Sequence, residues 1–504
     1  MSNRKTGVIL SYVFMIFEVA STLLLTPFII RTLGQAEYGV YTLSAAITAY
    51  LLLLDLGIGN AVTRYIAKYR VENDKAKAES FLGVATIYYL AIAAITLGIG
   101  VLLVKLFPSV FAVGLNKQEI LLGQELLSIT IINATVTLGS AAYFNTIIAY
   151  EKFKISKGAS IAQIIFRMVL IYIALRAGMG SVGIVSANLT LTILLRSFFI
   201  LYVLFKLKLR PSLHGINFPF IKEIIAYSSL ILLQMVATQI NGTIGQILIG
   251  TLIVSASGIL AIYGVGIQII QYFQSIGVAF TGVLMPGIVR LVENNATPEA
   301  ITSEMIRIGR IIFMVLAIIF GGFLVCGQDF IILWAGKANK SAYFVDLILM
   351  FSYIFMLTES VGTQILWAMN AHKEQSIMKI LAVLFNICAT IFFIKMNPLL
   401  GAAIGTSLSV LIGDVLVMNY IFVKKIQINL WKYYCGLFKG ILVSLFCTII
   451  LGLLIRQYTT LGWGNLLINI SSMCAIYGIL LYKIGMNSYE KNLAFGGLKR
   501  LIKK

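Results

Sequence analysis

Long apolar segments constrain this chain more than any other feature of its sequence. Because roughly 20 helical residues cross the hydrocarbon core of a bilayer, we count about fourteen membrane spans, separated by polar or glycine-rich breaks. We place these spans at residues 7–30, 39–62, 81–104, 120–149, 158–175, 181–205, 222–253, 257–286, 308–328, 342–370, 377–394, 399–423, 436–455 and 464–485. Backbone groups in hydrocarbon must be hydrogen-bonded within their own segment, so the sequence predicts an all-α integral membrane protein.

The charged residues indicate how the chain is oriented in the membrane. They make up only 12% of the 504 residues, against roughly 25% in soluble domains. Most of the 39 Lys and Arg residues lie between alternate spans, on the side that holds both termini. Cytoplasmic loops collect these cations, so we predict cytoplasmic N- and C-termini. The same rule explains the net charge of +20 without a nucleic-acid partner, and we expect none.

Cysteine and histidine do not indicate a metal site. The five cysteines occur singly in or beside apolar runs and lack C-x-x-C spacing: Cys326, Cys388, Cys435, Cys447 and Cys474. His214 and His372 are far apart in sequence, and both lie in predicted cytoplasmic loops. We therefore predict no metal and no cofactor. The run 7–30 is longer than a signal-peptide core and lacks a small-residue cleavage site, so we expect a retained helix.

A weak internal repeat of roughly 220 residues predicts two similar halves. Three pairs of segments recur in order: Tyr38-Gly39-Val40 with Tyr263-Gly264-Val265, Ala149-Tyr150-Glu151-Lys152 with Asn370-Ala371-His372-Lys373, and Gly183 with Gly401. An even number of predicted spans separates the members of each pair, so the halves share one orientation. We predict a first lobe of six helices at 1–205, a cytoplasmic linker at 206–221, a second six-helix lobe at 222–430, two further helices at 431–485 and a basic cytoplasmic tail at 486–504.

The predicted outer loops are short, and the longest covers about residues 105–119. A polymerase or ligase that acts on lipid-linked sugars needs a substantial outer loop or domain for its acid, base and acceptor-binding groups. The sequence also lacks a G-x-x-x-x-G-K-[ST] phosphate-binding loop. These features favour a transporter over an enzyme.

Short motifs in both halves resemble a known transporter family. The first half contains Pro27, Arg31, Leu33-Gly34 and Tyr38-Gly39 around the first outer turn, then Asp55-Leu56-Gly57 and Arg64 at the end of the second span. The second half contains Tyr227-Ser228, Gly250, Tyr263-Gly264 and Pro286. In these motifs, in span count and in loop lengths, the chain resembles the polysaccharide-transporter branch of the multidrug/oligosaccharidyl-lipid/polysaccharide (MOP) superfamily.

The resemblance implies a Wzx-type flippase with two pseudo-symmetric six-helix lobes around a central cavity that opens alternately to either side. Its implied substrate is an undecaprenyl-diphosphate-linked oligosaccharide, carried outward across a bacterial inner membrane. The implied products are O-antigen of lipopolysaccharide, capsule or exopolysaccharide, with polymerases and glycosyltransferases as neighbours. A lipid II flippase is the alternative within this fold. A non-transporting scaffold of a glycan assembly complex and an enzyme of lipid-linked sugar transfer are the alternatives outside it.

Acidic residues inside the predicted spans suggest a coupling site. A charge at the bilayer centre costs at least ~2.5 kcal/mol, so such groups face a cavity or a partner. Glu18, Asp55 and Glu359 lie within spans, as does Asp414. We predict that at least one of the first three couples transport to H⁺, Na⁺ or the membrane potential. A salt bridge or an interhelical hydrogen bond is the alternative for each acid.

Amides and an aromatic residue on the eighth span suggest a sugar-binding surface. Gln268, Gln271 and Tyr272 are predicted to contact sugar hydroxyls and sugar faces, with Gln274 following them. The seventh span carries further amides: Gln234, Gln239, Asn241 and Gln246. Hydrogen bonds between helices are the alternative role for these side chains.

Two arginines suggest an anion-binding site in the first lobe. Arg167 and Arg196 each lie ten residues from an inner-edge lysine on adjacent antiparallel spans, which places both about 15 Å deep. Each continues a polar face, made by Ser160 and Gln163 on one span and by Asn188 and Thr192 on the other. Two forked guanidinium groups suit a diphosphate, so we predict that they bind the substrate. The alternative is neutralisation by an acid of the same lobe, namely Glu18, Asp55 or Glu125.

Overall fold

The fold is described from a computed structural model of the chain. The structure describes the backbone of residues 3–213, 218–293, 296–369 and 372–493, and the side chains of residues 10–11, 13–213, 235–279, 296–369 and 375–493. Several predictions fall on side chains outside these ranges: those for His214, His372, Tyr227, Ser228, Gln234 and Pro286. The last part of the predicted basic tail, residues 494–504, is also outside them.

Eighteen α-helices make up the described chain. In the first part they are α1 (Asn3–Leu52), α2 (Ile58–Val71), α3 (Lys75–Val110), α4 (Lys117–Gly139), α5 (Ala141–Ala149), α6 (Phe153–Arg176), α7 (Gly180–Leu201), α8 (Phe218–Leu252) and α9 (Ser257–Glu293). They continue as α10 (Pro298–Ala335), α11 (Ala342–Thr358), α12 (Ser360–Ala368), α13 (His372–Ile394), α14 (Pro398–Ser409), α15 (Met418–Ile426), α16 (Leu430–Phe438), α17 (Ile441–Gln457) and α18 (Trp463–Leu480).

Membrane-spanning segments account for most of these helices. Twelve segments of the described chain are long and apolar enough to cross a bilayer. The first of them, Val13–Val71, has 59 residues, more than two crossings need, and Gly34 interrupts it with non-helical torsion angles. Helix α8 has 35 residues, which is sufficient for another crossing. The structure thus confirms the predicted all-α membrane fold of about fourteen spans.

Backbone breaks divide the first of these long segments. Gly34 has φ 75°, in the left-handed region that glycine adopts without strain. A second break follows α1, where a 3₁₀ turn at Leu53–Asp55 leads into Leu56 and Gly57, both with positive φ. The predicted span 39–62 is therefore wrong as one continuous helix, because the Leu56-Gly57 pair ends one helix and begins the next.

The described chain forms two compact units, Met1–Gly264 and Val265–Lys504. Helix α8, which the sequence places in the second lobe, belongs to the first unit. There it packs against α1, and the hydroxyl of Thr243 donates to that of Tyr50 at 2.6 Å. The predicted lobe and linker boundaries stay predictions.

Both copies of the predicted Tyr-Gly motif occur at one close helix contact in the first unit. A side chain at Gly39 would overlap the carbonyl of Ser257, and a side chain at Gly264 would contact Thr42. Tyr38 and Tyr263 are both buried. The two copies therefore share one physical reason for glycine, which is the close approach of α1 to the start of α9.

One arginine of the second unit lies in the interior rather than in a cytoplasmic loop. Arg310 of α10 is 5% exposed and donates to both carboxylate oxygens of Glu490, at 2.6 and 3.1 Å. Its remaining N–H groups donate to the carbonyls of Gly436, Lys439 and Gly485. Its guanidinium therefore joins α10 to the end of α16 and to the chain after α18.

The predicted tail begins as a packed segment. Glu490 is 3% exposed and also accepts a hydrogen bond from the backbone N–H of Asn487 at 2.8 Å. Its own N–H donates to the Asn487 side chain at 2.9 Å, so the two residues cap a short helical turn. The first residues of the predicted tail are consequently part of the second unit.

Candidate functional site

The predicted anion site of the first unit contains an internal ion pair. The Nη2 of Arg167 lies 3.0 Å from the carboxylate of Glu18 and 3.2 Å from the hydroxyl of Ser21. Helix α6 carries the arginine and α1 the acid, and these two helices pack together. About a quarter of the arginine side chain and two fifths of the glutamate side chain are exposed. Glu18 thus neutralises Arg167, which was the alternative raised from the sequence.

Arg196 of α7 is in a different electrostatic situation. Its guanidinium carbon lies 5.3 Å from the centre of the Phe144 ring of α5, a distance at which a cation interacts favourably with an aromatic face. Among the residues described here, no carboxylate is within ion-pair distance of it. Arg196 therefore keeps a net positive charge inside a membrane span, where charge is costly without a partner or a ligand.

The polar residues predicted around the two arginines are partly accessible. Gln163, Asn188 and Thr192 are half-buried or nearly buried on α6 and α7, which pack against each other. Thr192 and Asn188 lie four and eight residues before Arg196, so they share its helix face. The structure brings these residues onto adjacent helices, and their role in substrate binding remains a prediction.

Asp55 and the polar stripe of the second span have partners within the helix bundle. The hydroxyl of Tyr89 donates to the Asp55 carboxylate at 2.7 Å. Thr48, on the same stripe, is hydrogen-bonded to Thr130 of α4 at 2.8 Å. Such contacts between helices are the alternative to a cavity-facing role. The predicted coupling role of Asp55 stays a prediction.

Glu359 lies in the second unit, at the break between α11 and α12. One carboxylate oxygen accepts hydrogen bonds from the amide of Asn419, at 3.1 Å, and from the hydroxyl of Tyr434. The other oxygen is buried and has no hydrogen-bond partner among the described residues. The residue is only 2% exposed. Glu359 thus combines a fixed position with a free acceptor, which is the arrangement that a proton or cation can complete.

The polar residues of α9 that the sequence suggested for sugar binding differ in their surroundings. Gln268 donates to the hydroxyl of Tyr272 at 3.1 Å, and both side chains are half-buried. Gln271 is exposed. Gln274 is hydrogen-bonded to Tyr353 of α11, which makes it an interhelical contact. The role of Gln268, Gln271 and Tyr272 in sugar binding stays a prediction.

Sequence reasoning missed a buried acid in the second unit. Asp346, in the second turn of α11, is fully buried, and neither carboxylate oxygen has a hydrogen-bond partner among the described residues. It lies near Gly266 of α9. Its position close to the outer end of a predicted span concealed it, because polar residues near span ends are common. The signal that was available is an acid at the fifth position of an otherwise apolar helix.

An apolar cavity of about 260 Å³ lies between α10 and α18 in the second unit. Its lining includes Phe323, Cys326, Phe330 and Met473. Cys326 is a buried free cysteine. The cavity suits a hydrocarbon chain, since its walls present almost no polar atoms.

Comparison with solved structures identifies the fold. The chain is similar to the lipid II flippase MurJ in an inward closed conformation, with a TM-score of 0.72, 15% identity, and coverage of 98% of this chain and 99% of that one. It is also similar to an inward-facing multidrug resistance MATE family transporter of the MOP superfamily (TM-score 0.65, 15% identity, coverage 81% and 95%). A third match is the MATE multidrug transporter DinF-BH (TM-score 0.62, 13% identity, coverage 84% and 95%). These likenesses define the protein as a multi-pass membrane protein with the MurJ and MATE transporter fold.

Sequence comparison identifies the family. Residues 5–292 match the family of polysaccharide biosynthesis proteins. The match covers more than half of the 504 residues, and the chain belongs to this family. No curated protein sequence matches significantly. This match confirms the resemblance to a polysaccharide biosynthesis family that the sequence motifs indicated.

Proposed function

We propose that the protein is a flippase that moves an undecaprenyl-diphosphate-linked oligosaccharide from the cytoplasmic to the outer face of a bacterial inner membrane. The observation that carries this proposal is the combination of two matches. One is to a polysaccharide biosynthesis family over residues 5–292, and the other is to the fold of a lipid II flippase over nearly the whole chain. The product enters assembly of O-antigen, capsule or exopolysaccharide.

In this proposal the chain is a transporter rather than an enzyme. The family and fold are those of membrane transporters, which move substrates by alternating access between the two membrane faces. Arg196 supports an anionic substrate, because its charge inside a span has no carboxylate partner in the described chain. Substrate phosphates would supply the missing anion. The proposal takes both termini to be cytoplasmic, as the positive-inside rule predicts.

The proposal also includes coupling to H⁺, Na⁺ or the membrane potential through at least one of Glu18, Asp55 and Glu359. Glu359 has the strongest structural support, since one of its oxygens is buried without a partner. Glu18 is already paired with Arg167, and Asp55 with Tyr89. Release of Arg167 from Glu18 during the transport cycle would expose both charges together.

Deletion of the gene in its host tests the flippase proposal. We expect one surface glycan to disappear while its lipid-linked repeat units accumulate on the cytoplasmic side of the membrane. Accumulation of lipid II instead, with arrest of cell-wall synthesis, would establish the second candidate, which the whole-chain likeness to MurJ favours. Normal surface glycan with no accumulated intermediate would refute both.

A further inference from the structure

A cavity of about 460 Å³ lies in the first unit, and neither Arg167 nor Arg196 lines it. Its lining is half polar: Lys75, Glu79, Leu204, Phe205, Lys208 and Arg210. The segment Lys75–Val110 begins at this cavity and the segment Gly180–Lys206 ends at it, and both are candidate membrane spans. The cavity therefore lies where two spans reach the same membrane surface.

The segment that follows α7 is held in place there. After a π-helical turn at Tyr202–Lys206, the N–H of Leu209 donates to the carbonyl of Val203 at 3.2 Å, and the Leu209 side chain is 1% exposed. This segment also docks on α3. The N–H of Arg210 donates to the Glu79 carboxylate at 3.0 Å. These bonds fix the backbone from which the side chains of Lys208 and Arg210 extend.

The charge of the cavity is positive. Glu79 is its single acid, and this carboxylate already accepts from the Arg210 backbone and lies 3.6 Å from Lys75. In the part of the chain with described side chains, Lys208 and Arg210 have no ion-pair partner. Lys208 also has φ 55°, an uncommon backbone conformation for a lysine. Strained residues of this kind cluster at ligand sites.

A neighbouring acid does not neutralise these cations. Asp74 caps the start of α3 and lies 2.8 Å from Lys77. The hydrogen bond from Lys77 holds the pKa of Asp74 below its usual range, so this carboxylate stays charged and paired.

The remaining wall of the cavity, formed by Leu204 and Phe205, is apolar. Phe205 is 74% exposed, although it lies at the end of a membrane span, and Leu204 is half-buried beside it. A ligand that fits this lining carries negative charge next to a hydrocarbon chain. Basic pockets between helices on the cytoplasmic side bind anionic lipid headgroups.

We propose that this cavity binds the phosphate headgroup of an anionic phospholipid, with the acyl chain against Phe205. The bound lipid would join α3, the end of α7 and the segment from Lys206 to Ser212. The lining of this site contains neither Arg167 nor Arg196, and its placement on the cytoplasmic side rests on the orientation given by the positive-inside rule.

The test uses the purified, delipidated full-length protein. Its unfolding midpoint is measured with added phosphatidylglycerol, with phosphatidylcholine of the same acyl chains, or with inorganic phosphate, and native mass spectrometry counts retained lipids. The variants are Lys208→Gln with Arg210→Gln, and Phe205→Ser. The matched control is Lys152→Gln with Lys154→Gln, because both of these lysines are exposed and lie outside the cavity.

We expect phosphatidylglycerol to stabilise the wild type and the control, and phosphatidylcholine to have little effect. Each removed cation should weaken phosphatidylglycerol binding roughly fivefold, so the Lys208 and Arg210 pair should lose roughly 25-fold. Phe205→Ser should weaken phosphatidylglycerol binding too. Unfolding midpoints without lipid show whether a variant is folded, and Lys208→Gln alone provides a milder second test.

Two results would overturn the proposal. One is equal phosphatidylglycerol affinity in the Lys208, Arg210 double variant and in the control. The other is equal stabilisation by inorganic phosphate, unaffected by Phe205→Ser, which would mean that a free anion is bound and that the apolar wall has no role.

Discussion

Arg167 and Glu18, which are 149 positions apart in the sequence, form an ion pair at 3.0 Å between α6 and α1. This pair separates the two arginines that the sequence treats as equivalent. Arg167 has an internal anion, whereas Arg196 has an aromatic ring and, among the residues described, no acid. The two residues should therefore respond differently to substitution.

Arg196→Gln should reduce transport more than Arg167→Gln does. A charge-assisted hydrogen bond to the substrate is worth about 1.5–3 kcal/mol, so we expect at least a tenfold loss for Arg196→Gln with normal membrane levels. Arg196→Lys should be impaired as well, because it keeps the charge but loses the fork. The measurement is lipid-linked oligosaccharide flipping in proteoliposomes. Wild-type transport by the Arg167→Gln, Arg196→Gln double variant would eliminate the proposed anion site.

Glu18→Gln should reveal whether Arg167 acts mainly through its ion pair. Removing the acid alone leaves an unpaired arginine within a span, so protein levels should fall. The double variant Glu18→Gln, Arg167→Gln removes both charges, and its membrane level should recover. Quantitative membrane immunoblots provide the measurement. A double variant no better expressed than Glu18→Gln would show that the pair is not the relevant interaction.

Glu359→Gln should weaken the response of transport to an imposed proton or sodium gradient. Glutamine keeps the shape and can still accept from Asn419 and Tyr434, but it cannot take up a proton or bind a cation as a carboxylate does. Asp55→Asn and Glu18→Gln are assayed in the same way. Glu72→Gln is the control, because Glu72 is exposed. A full gradient response in all three variants would rule out coupling through these acids.

Asp346→Asn should raise the unfolding midpoint. Burying a carboxylate without a partner is costly, and asparagine has nearly the same shape without the charge, so we expect a gain of about 1 kcal/mol or more. Asp329→Asn is the matched control. Asp329 accepts two hydrogen bonds from Arg456, at 3.0 and 3.1 Å, and its loss should lower the midpoint. Equal destabilisation by both changes would mean that Asp346 has a stabilising partner.

Arg310→Leu should strongly destabilise the second unit. The change leaves Glu490 buried without its cation and removes donors to three backbone carbonyls, which costs about 3–5 kcal/mol by comparison with other broken buried pairs. Arg307→Leu is the control, because Arg307 is more exposed and its pair with Glu304 lies within one helix turn. Unfolding midpoints in detergent measure the difference. Similar midpoints for both variants would contradict the proposed role of Arg310.

The length and spacing of the apolar segments were sufficient to predict the helical membrane fold. The solvent imposes those patterns, since each span must present roughly 20 apolar residues to hydrocarbon whatever its neighbours are. The predicted turn between the spans 7–30 and 39–62 contains Gly34, and the structure shows non-helical torsion angles at this glycine. The sequence also indicated several of the acids and arginines that lie inside spans, among them Glu18, Glu359 and Arg196, because charge there is rare.

The pairing of those charged groups was decided only by the tertiary structure. Glu18 meets Arg167, and Glu490 meets Arg310 from 180 positions away, through the way that helices pack. Burial also depends on packing, so the sequence did not show that Arg310 and Asp346, each near the end of a predicted span, are buried. The backbone hydrogen bonds of each span are made within that span, so each helix can form without a particular neighbour. The sequence of one span therefore says little about which helix packs beside it. The physical reason is that hydrophobic patterning is local, whereas ion pairing requires two distant segments to meet.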